Sequence, residues 1–110
     1  MSFTSSRAKA YDRQQGRCYY CQQPMWMGQS AWFADRYSLS VAQTHNLQAT
    51  GEHLIPQEDG GTNTQENIVA SCRYCNLHRH KRRPAPSPNS HALRARLRLA
   101  NGKWHQLRLS

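Results

Sequence analysis

Four cysteines stand in two pairs, Cys18-Tyr19-Tyr20-Cys21 and Cys72-Arg73-Tyr74-Cys75. The Cys-x-x-Cys spacing lets two thiolates grip one ion from a single tight turn, and four thiolates suit one tetrahedral zinc. Between the pairs lie Glu52-His53-Leu54-Ile55-Pro56, then Gly60-Gly61, then Asn67, and Asn76 directly follows the last cysteine. A carboxylate, an imidazole and two amides can together hold a cation and move a proton, chemistry that would serve hydrolysis of a phosphodiester. A zinc bound by both pairs would draw the two ends of that segment together.

Four cysteines can also form two disulfides, in three connectivities. The knuckle spacing and the lack of a secretion-type leader favour zinc. The simplest zinc folds separate their knuckles by about 15–20 residues. Here about 50 residues lie between Cys21 and Cys72, so the insertion holds a substructure or a functional segment.

Size and charge narrow the partner. A chain of 110 residues reads as one domain with a modest core, which a structural metal would supplement. The formal net charge of +9 points to a polyanion, nucleic acid first. No strongly amphipathic basic helix favours a membrane surface instead. Residues 1–10 lack the apolar run of a targeting segment, and no stretch approaches the roughly 20 apolar residues of a spanning helix. The expectation is therefore a cytoplasmic protein with reduced thiols.

The elements that must position these groups follow from local signals. Residues 5–15 read as a helix capped by Ser5 or Ser6 and ended at Gly16, with Ala8 and Tyr11 facing inward. Trp32, Phe33 and Arg36 fit one helical face, and Tyr37-Ser38-Leu39-Ser40-Val41 alternates like a strand. Residues 47–55 suggest a strand that Pro56 stops. Gly60-Gly61 gives the following polar loop positive-φ freedom. Ile68-Val69-Ala70 is a second short strand, able to pair with the first. Residues 72–82 read as a helix whose basic last turn suits the negative end of the helix dipole. Pro84, Pro86 and Pro88 then form a stiff linker. In the tail, Arg94, Arg96 and Arg98 alternate with Ala95, Leu97 and Leu99 before Asn101-Gly102, Trp104 and Leu107-Arg108-Leu109. Asn-Gly between alternating segments predicts a hairpin. A helix over His91–Leu99, with Leu93 and Leu97 at i,i+4, is the alternative.

Taken in order, Cys18-x-x-Cys21, Glu52-His53-Leu54-Ile55-Pro56, Gly60-Gly61, Asn67-Ile68-Val69 and Cys72-x-x-Cys75-Asn76 resemble the small zinc-stapled members of the HNH endonuclease family. The resemblance covers roughly residues 5–83 and leaves the tail unexplained. It implies a ββα-metal core, a divalent ion, and phosphodiester hydrolysis leaving 5′-phosphate and 3′-hydroxyl ends. His53 matches the family's general base, a role that needs a neutral imidazole near a water. Glu52 matches the first ligand of the catalytic ion, and a hard carboxylate oxygen suits Mg²⁺ or Mn²⁺. Neighbours on a strand point to opposite faces, so a bend at Glu52-His53 is expected. Asn67 matches the Asn that braces the loop between the strands. Asn76 stands where the last motif residue falls and is assigned as second ligand through its carbonyl oxygen. His80, one helical turn beyond Asn76, is a candidate third ligand. Arg73, Arg79, Lys81, Arg82 and Arg83 are expected to contact phosphates, which positions a duplex without reading its sequence.

The sequence thus predicts an α+β, ββα-metal (treble-clef-like) domain with a four-cysteine zinc. Residues 1–83 form the nuclease domain, 84–90 the Pro-rich linker and 91–110 a basic extension. The expected activity is metal-dependent DNA cleavage, with structural Zn²⁺ and catalytic Mg²⁺ or Mn²⁺. A non-catalytic zinc-dependent nucleic-acid-binding module is the alternative. A protein-interaction zinc domain, presenting the aromatic insertion and needing no second metal, is a third class.

Overall fold

Among the residues described by the computed structural model (2–105 and 109), five α-helices surround one two-stranded sheet. In chain order these are α1 (Phe3–Arg13), α2 (Ala31–Tyr37), α3 (Val41–Asn46), β1 (Ala49–His53), β2 (Ile68–Cys72), α4 (Arg73–His80) and α5 (Pro88–Ala100). A single 3₁₀ turn, Gln57–Asp59, interrupts the loop between the strands. β1 and β2 pair antiparallel from Ala49 opposite Cys72 to His53 opposite Ile68. Cys72 ends β2 and also N-caps α4, its sulfur accepting from the Cys75 N–H at 3.4 Å. One residue therefore joins strand, helix and thiolate cluster, so the β1–β2–α4 unit is fixed relative to the cysteines.

All five residues of β2 are buried, and its outer edge is satisfied without a third strand. The Gln14 side chain donates to the Ala70 carbonyl at 2.8 Å and accepts from the Ala70 N–H at 2.9 Å, while the Tyr19 N–H also donates to that carbonyl at 2.9 Å. A buried backbone group left unpaired would be costly, so these contacts seat both α1 and the first knuckle on the sheet. The core is built from Tyr20, Phe33, Leu47, Ala49 and Ala70, the four cysteines, Ala92, Ala95 and Trp104.

Three local expectations change. First, α1 is capped by Ser2, whose hydroxyl accepts from the Ser5 N–H, rather than by Ser5 or Ser6. Ser6 is buried and donates to the Asn63 carbonyl at 2.5 Å. Second, residues 37–41 form no strand. Ser38 turns the chain at φ 54°, and Ser40 opens α3 with a reciprocal capping box to Gln43. Those two cap hydrogen bonds outweigh five residues of alternation.

Third, the tail is helical. Ser87 caps α5, Pro88 occupies its first turn, and Asn101 with Gly102 (φ 70°) closes it instead of turning a hairpin. An isolated hairpin is marginal in water, whereas α5 buries His91, Ala92 and Ala95 and leaves Leu93 and Leu97 exposed. The Pro-rich stretch is correspondingly shorter than expected, since residues 88–90 already belong to α5. Leu107-Arg108, which the hairpin expectation places after the Asn-Gly turn, lies outside the described residues. No helix among the described residues is long and apolar enough to cross a membrane.

Candidate metal centre and hydrolytic cleft

The four cysteines converge. Their sulfurs lie within 4.8 Å of one another and are fully buried, with Cys21 and Cys72 sulfurs 3.9 Å apart. A tetrahedral zinc with Zn–S bonds of about 2.3 Å sets sulfurs about 3.8 Å apart, so the cage fits that ion. Its electrostatics point the same way. Burial raises a thiol pKa, yet at Cys18 hydrogen bonds from Cys21, Cys72 and Cys75 and from the Cys72 N–H overcome burial and hold it well below the ordinary value. Burial, reinforced by hydrogen bonding to Cys18 and Cys21, pushes Cys72 and Cys75 well above it. Cys18 is thus favoured as a thiolate by the cage itself, whereas Cys72 and Cys75 need a bound cation to lose their protons.

β1 and α4 form two walls of an open cleft of about 720 Å³. Gly51, Glu52 and His53 line it from β1, Asn76, Arg79 and His80 from α4, and Arg82–Ala85 and the 56–59 loop complete it. Glu52 and His53, neighbours on β1, turn to different supports. Glu52 is 3% exposed. Its Oε1 accepts from Arg79 at 2.5 Å and from His80 Nε2 at 2.7 Å, while its buried Oε2 has no partner.

His53 faces α1. Its ring stacks on Phe3 at 5.3 Å, and Nε2 lies 2.8 Å from Asn63 Oδ1. An amide oxygen only accepts, so Nε2 carries the proton and the lone pair resides on Nδ1. Phe3 reaches this position because the residue beneath it is glycine: a Cβ on Gly51 would fall 2.4 Å from the Phe3 ring.

Asn67 lies outside the cleft lining and is buried beneath the interstrand loop. Its Oδ1 accepts from the Ile55 N–H at 2.7 Å, and its Nδ2 donates to the carbonyls of Ile55 and Thr62 at 3.0 and 2.9 Å. The loop closes tightly enough that a Cβ on Gly61 would overlap the Ile55 carbonyl oxygen at 1.7 Å. No residue but glycine fits there. Asn76 lines the cleft, its amide donating to Thr50 Oγ1 at 3.1 Å.

The remaining basic residues divide by exposure. Arg79, expected on phosphate, is buried, with Glu52 on one side and the Pro86 carbonyl, 3.0 Å from its Nε, on the other. A buried carboxylate needs a cationic partner close by, and that requirement claims Arg79. Arg73 donates to Asn46 Oδ1 at 3.1 Å and lies outside the cleft lining. Arg82 and Arg83 are exposed on the cleft wall, and Lys81 is exposed beside them.

A hard cation would enter the cleft in exchange for the proton that His80 Nε2 donates to Glu52 Oε1. Adjacent ligands of an octahedral ion at about 2.1 Å lie about 3.0 Å apart. Glu52 Oε1 and His80 Nε2 stand at 2.7 Å, with the unpartnered Oε2 and the Asn76 amide in the same cleft.

Several groups at these sites had no signal in the sequence. Asn63 is one of many polar loop residues, and Phe3 precedes every motif. Trp104 and His105 read as tail. Yet the Trp104 indole N–H donates to Cys75 Sγ at 3.2 Å, and His105 Nε2 lies 3.2 Å from Cys72 Sγ. Only the aromatic-imidazole pair just after Asn101-Gly102 hinted at a packed terminus. Among known families, the model described as HNH endonuclease matches residues 40–82, from the cap of α3 to just past α4. No curated protein and no solved structure matches the chain.

Proposed function

Because residues 40–82 match the family model described as HNH endonuclease, we propose that this protein hydrolyses DNA phosphodiester bonds in the cleft between β1 and α4. His53 is the general base, and a Mg²⁺- or Mn²⁺-type ion is held by Glu52, Asn76 and His80. The observation that carries this reading is the shared lining: all four side chains border one open cleft, with exposed Arg82 and Arg83 on its wall.

In this reading Asn63 and Phe3 keep the His53 ring in the tautomer whose Nδ1 is free to take a proton from water. Asn67 braces the loop that follows the base. Glu52 offers carboxylate oxygen, Asn76 amide oxygen and His80 imidazole nitrogen. Such an ion, when bound, supplies neutralisation of charge on the scissile phosphate and on the leaving 3′-oxygen. Lys81, Arg82 and Arg83 steer and seat the phosphate backbone, so affinity falls as salt rises. Residues 1–83 carry the chemistry, and α5 with Trp104 and His105 steadies the zinc centre, whose role is structural.

The test is cleavage of supercoiled plasmid across a panel of divalent metals, with DNA affinity measured in parallel. His53→Ala is expected to lower the rate by roughly 10²–10⁴-fold, the range of a positioned general base, while binding persists. Undiminished cleavage by the variant would remove His53 from the mechanism. One observation favours the non-catalytic nucleic-acid-binding module: Arg79 already supplies Glu52 with an internal cation. That alternative predicts DNA binding with no metal-dependent cleavage by the wild-type chain.

A further inference from the structure

The tail that no motif covers ends on the zinc cage. Trp104 is 3% exposed, and its indole N–H donates to Cys75 Sγ at 3.2 Å. His105, 7% exposed, places Nε2 3.2 Å from Cys72 Sγ and 3.8 Å from Cys21 Sγ. Tyr74, lying between the two cysteines of the second knuckle, holds both rings. It stacks on His105 at 4.3 Å and meets Trp104 edge-on at 5.0 Å. α5 delivers this segment: Arg96 donates to the carbonyls of Tyr20 and Tyr19 in the first knuckle at 2.8 and 3.1 Å.

We propose that Trp104 and His105 are outer-sphere ligands of the zinc centre, two side-chain N–H donors that hold the second-knuckle thiolates and slow loss of the metal. The charge requires such donors. Four thiolates around a divalent ion carry a net charge of −2 in a buried site, where an uncompensated charge is costly. Cys18 is served by backbone from both knuckles, accepting from the N–H groups of Tyr20 at 3.4 Å and Cys72 at 3.3 Å. Cys72 accepts from the Cys75 N–H at 3.4 Å. Cys75 receives the Trp104 indole, and Cys21 has His105 within reach. The tail therefore adds side-chain donors at Cys75, Cys72 and Cys21 to the backbone N–H groups that serve Cys18 and Cys72. Such groups orient ligands and tune affinity, and losing one costs about 10–100-fold. The inference needs only the four-thiolate zinc and is independent of the nuclease reading.

Two measurements test it on the full chain. With ¹¹³Cd in place of zinc, NMR reads coupling between the metal and the indole proton of Trp104, transmitted across the N–H···S bond. Coupling is expected in the wild-type chain, and its absence in well-folded ¹¹³Cd protein overturns the hydrogen bond without any variant having to fold. The second is zinc transfer to a chromophoric chelator. Trp104→Phe and His105→Phe, which keep a ring in each place, are expected to release zinc roughly tenfold faster than wild type. Trp32→Phe, at an exposed position, serves as the control. Release from both tail variants at the wild-type rate overturns the claim that these donors retain the metal.

Discussion

The cysteine cage and the cleft meet at opposite ends of α4, yet they are built by opposite rules. In the cage every ligand sulfur is buried and each approaches its neighbours directly. In the cleft the floor is dry and the rim is wet: Glu52 is buried, while the His80 side chain is 52% exposed and Arg82 and Arg83 stand in solvent. Closed, fully protein-ligated sites hold structure together, and open sites leave room for water and substrate. The difference teaches that α4 is the common support. Cys72 and Cys75 fix its start, and Asn76, Arg79 and His80 along it line the cleft.

Removing metal separates the two regions most sharply. Structural zinc contributes about 10–16 kcal/mol of apparent binding free energy, comparable to or above the whole stability of a small domain. Stripping zinc with a strong chelator, or replacing Cys72 by Ser, is therefore expected to abolish cooperative unfolding and most helical circular dichroism at 25 °C. An unchanged melting temperature would refute the structural role. In the proposed reading, Mg²⁺ or Mn²⁺ at the cleft would bind an already folded site. At a hundredfold excess over its Kd it adds about 2.7 kcal/mol, seen as a rise of a few degrees.

Within the cleft, the Glu52–Arg79 pair is the part that behaves like core. Breaking a buried ion pair by deleting one partner costs about 3–5 kcal/mol, because the survivor is left charged and uncompensated. Arg79→Met is expected to lose that amount in urea denaturation, and adding Glu52→Gln to recover much of it. A loss under about 1 kcal/mol would mean that His80 alone can neutralise the carboxylate. It would also place Arg79 among residues free to contact DNA.

The same contrast explains what the sequence made legible. The ββα unit was readable because its signals are local: Pro56 stops β1, Gly60-Gly61 permits the loop, and the cysteines mark the start of α4. Asn76 and His80 line the cleft together as their i,i+4 spacing allows, whereas strand alternation sends Glu52 and His53 to opposite faces, and their presence at one cleft was implied by the resemblance alone. The supports were not readable. Asn63 meets His53, and Arg79 meets Glu52, through tertiary packing that no short spacing encodes. α5 concealed itself because its buried face is His91, Ala92 and Ala95 while Leu93 and Leu97 stay outside. A hydrophobic pattern therefore assigns the wrong face, and the Asn-Gly pair, a hairpin signal in sequence, serves here as a helix end.

His91 offers the finest test, because it sits where the tail meets the first knuckle. It is 1% exposed, edge-on to Tyr20 at 4.8 Å and to Trp104 at 5.6 Å, and neither ring nitrogen has a partner. Burial, then the nearby positive charge of Arg79, lowers its pKa from 6.5 to about 4, against a smaller opposing pull from Cys18. The folded state therefore holds this imidazole neutral while the unfolded chain protonates it near pH 6.5. Its contribution to stability is complete above pH 6.5 and falls away as pH drops toward 4, because there the unfolded state binds the extra proton. His91→Phe keeps the two ring contacts and removes the titration. Acid also protonates the thiolates, but that loss is common to both proteins. The stability of wild type relative to the variant, measured with zinc saturating, is thus expected to decline between pH 6.5 and 4 and to be flat above. A difference that does not vary across that window would show that His91 finds compensation in the folded state, and that the tail is less tightly closed over the knuckle than the cage it covers.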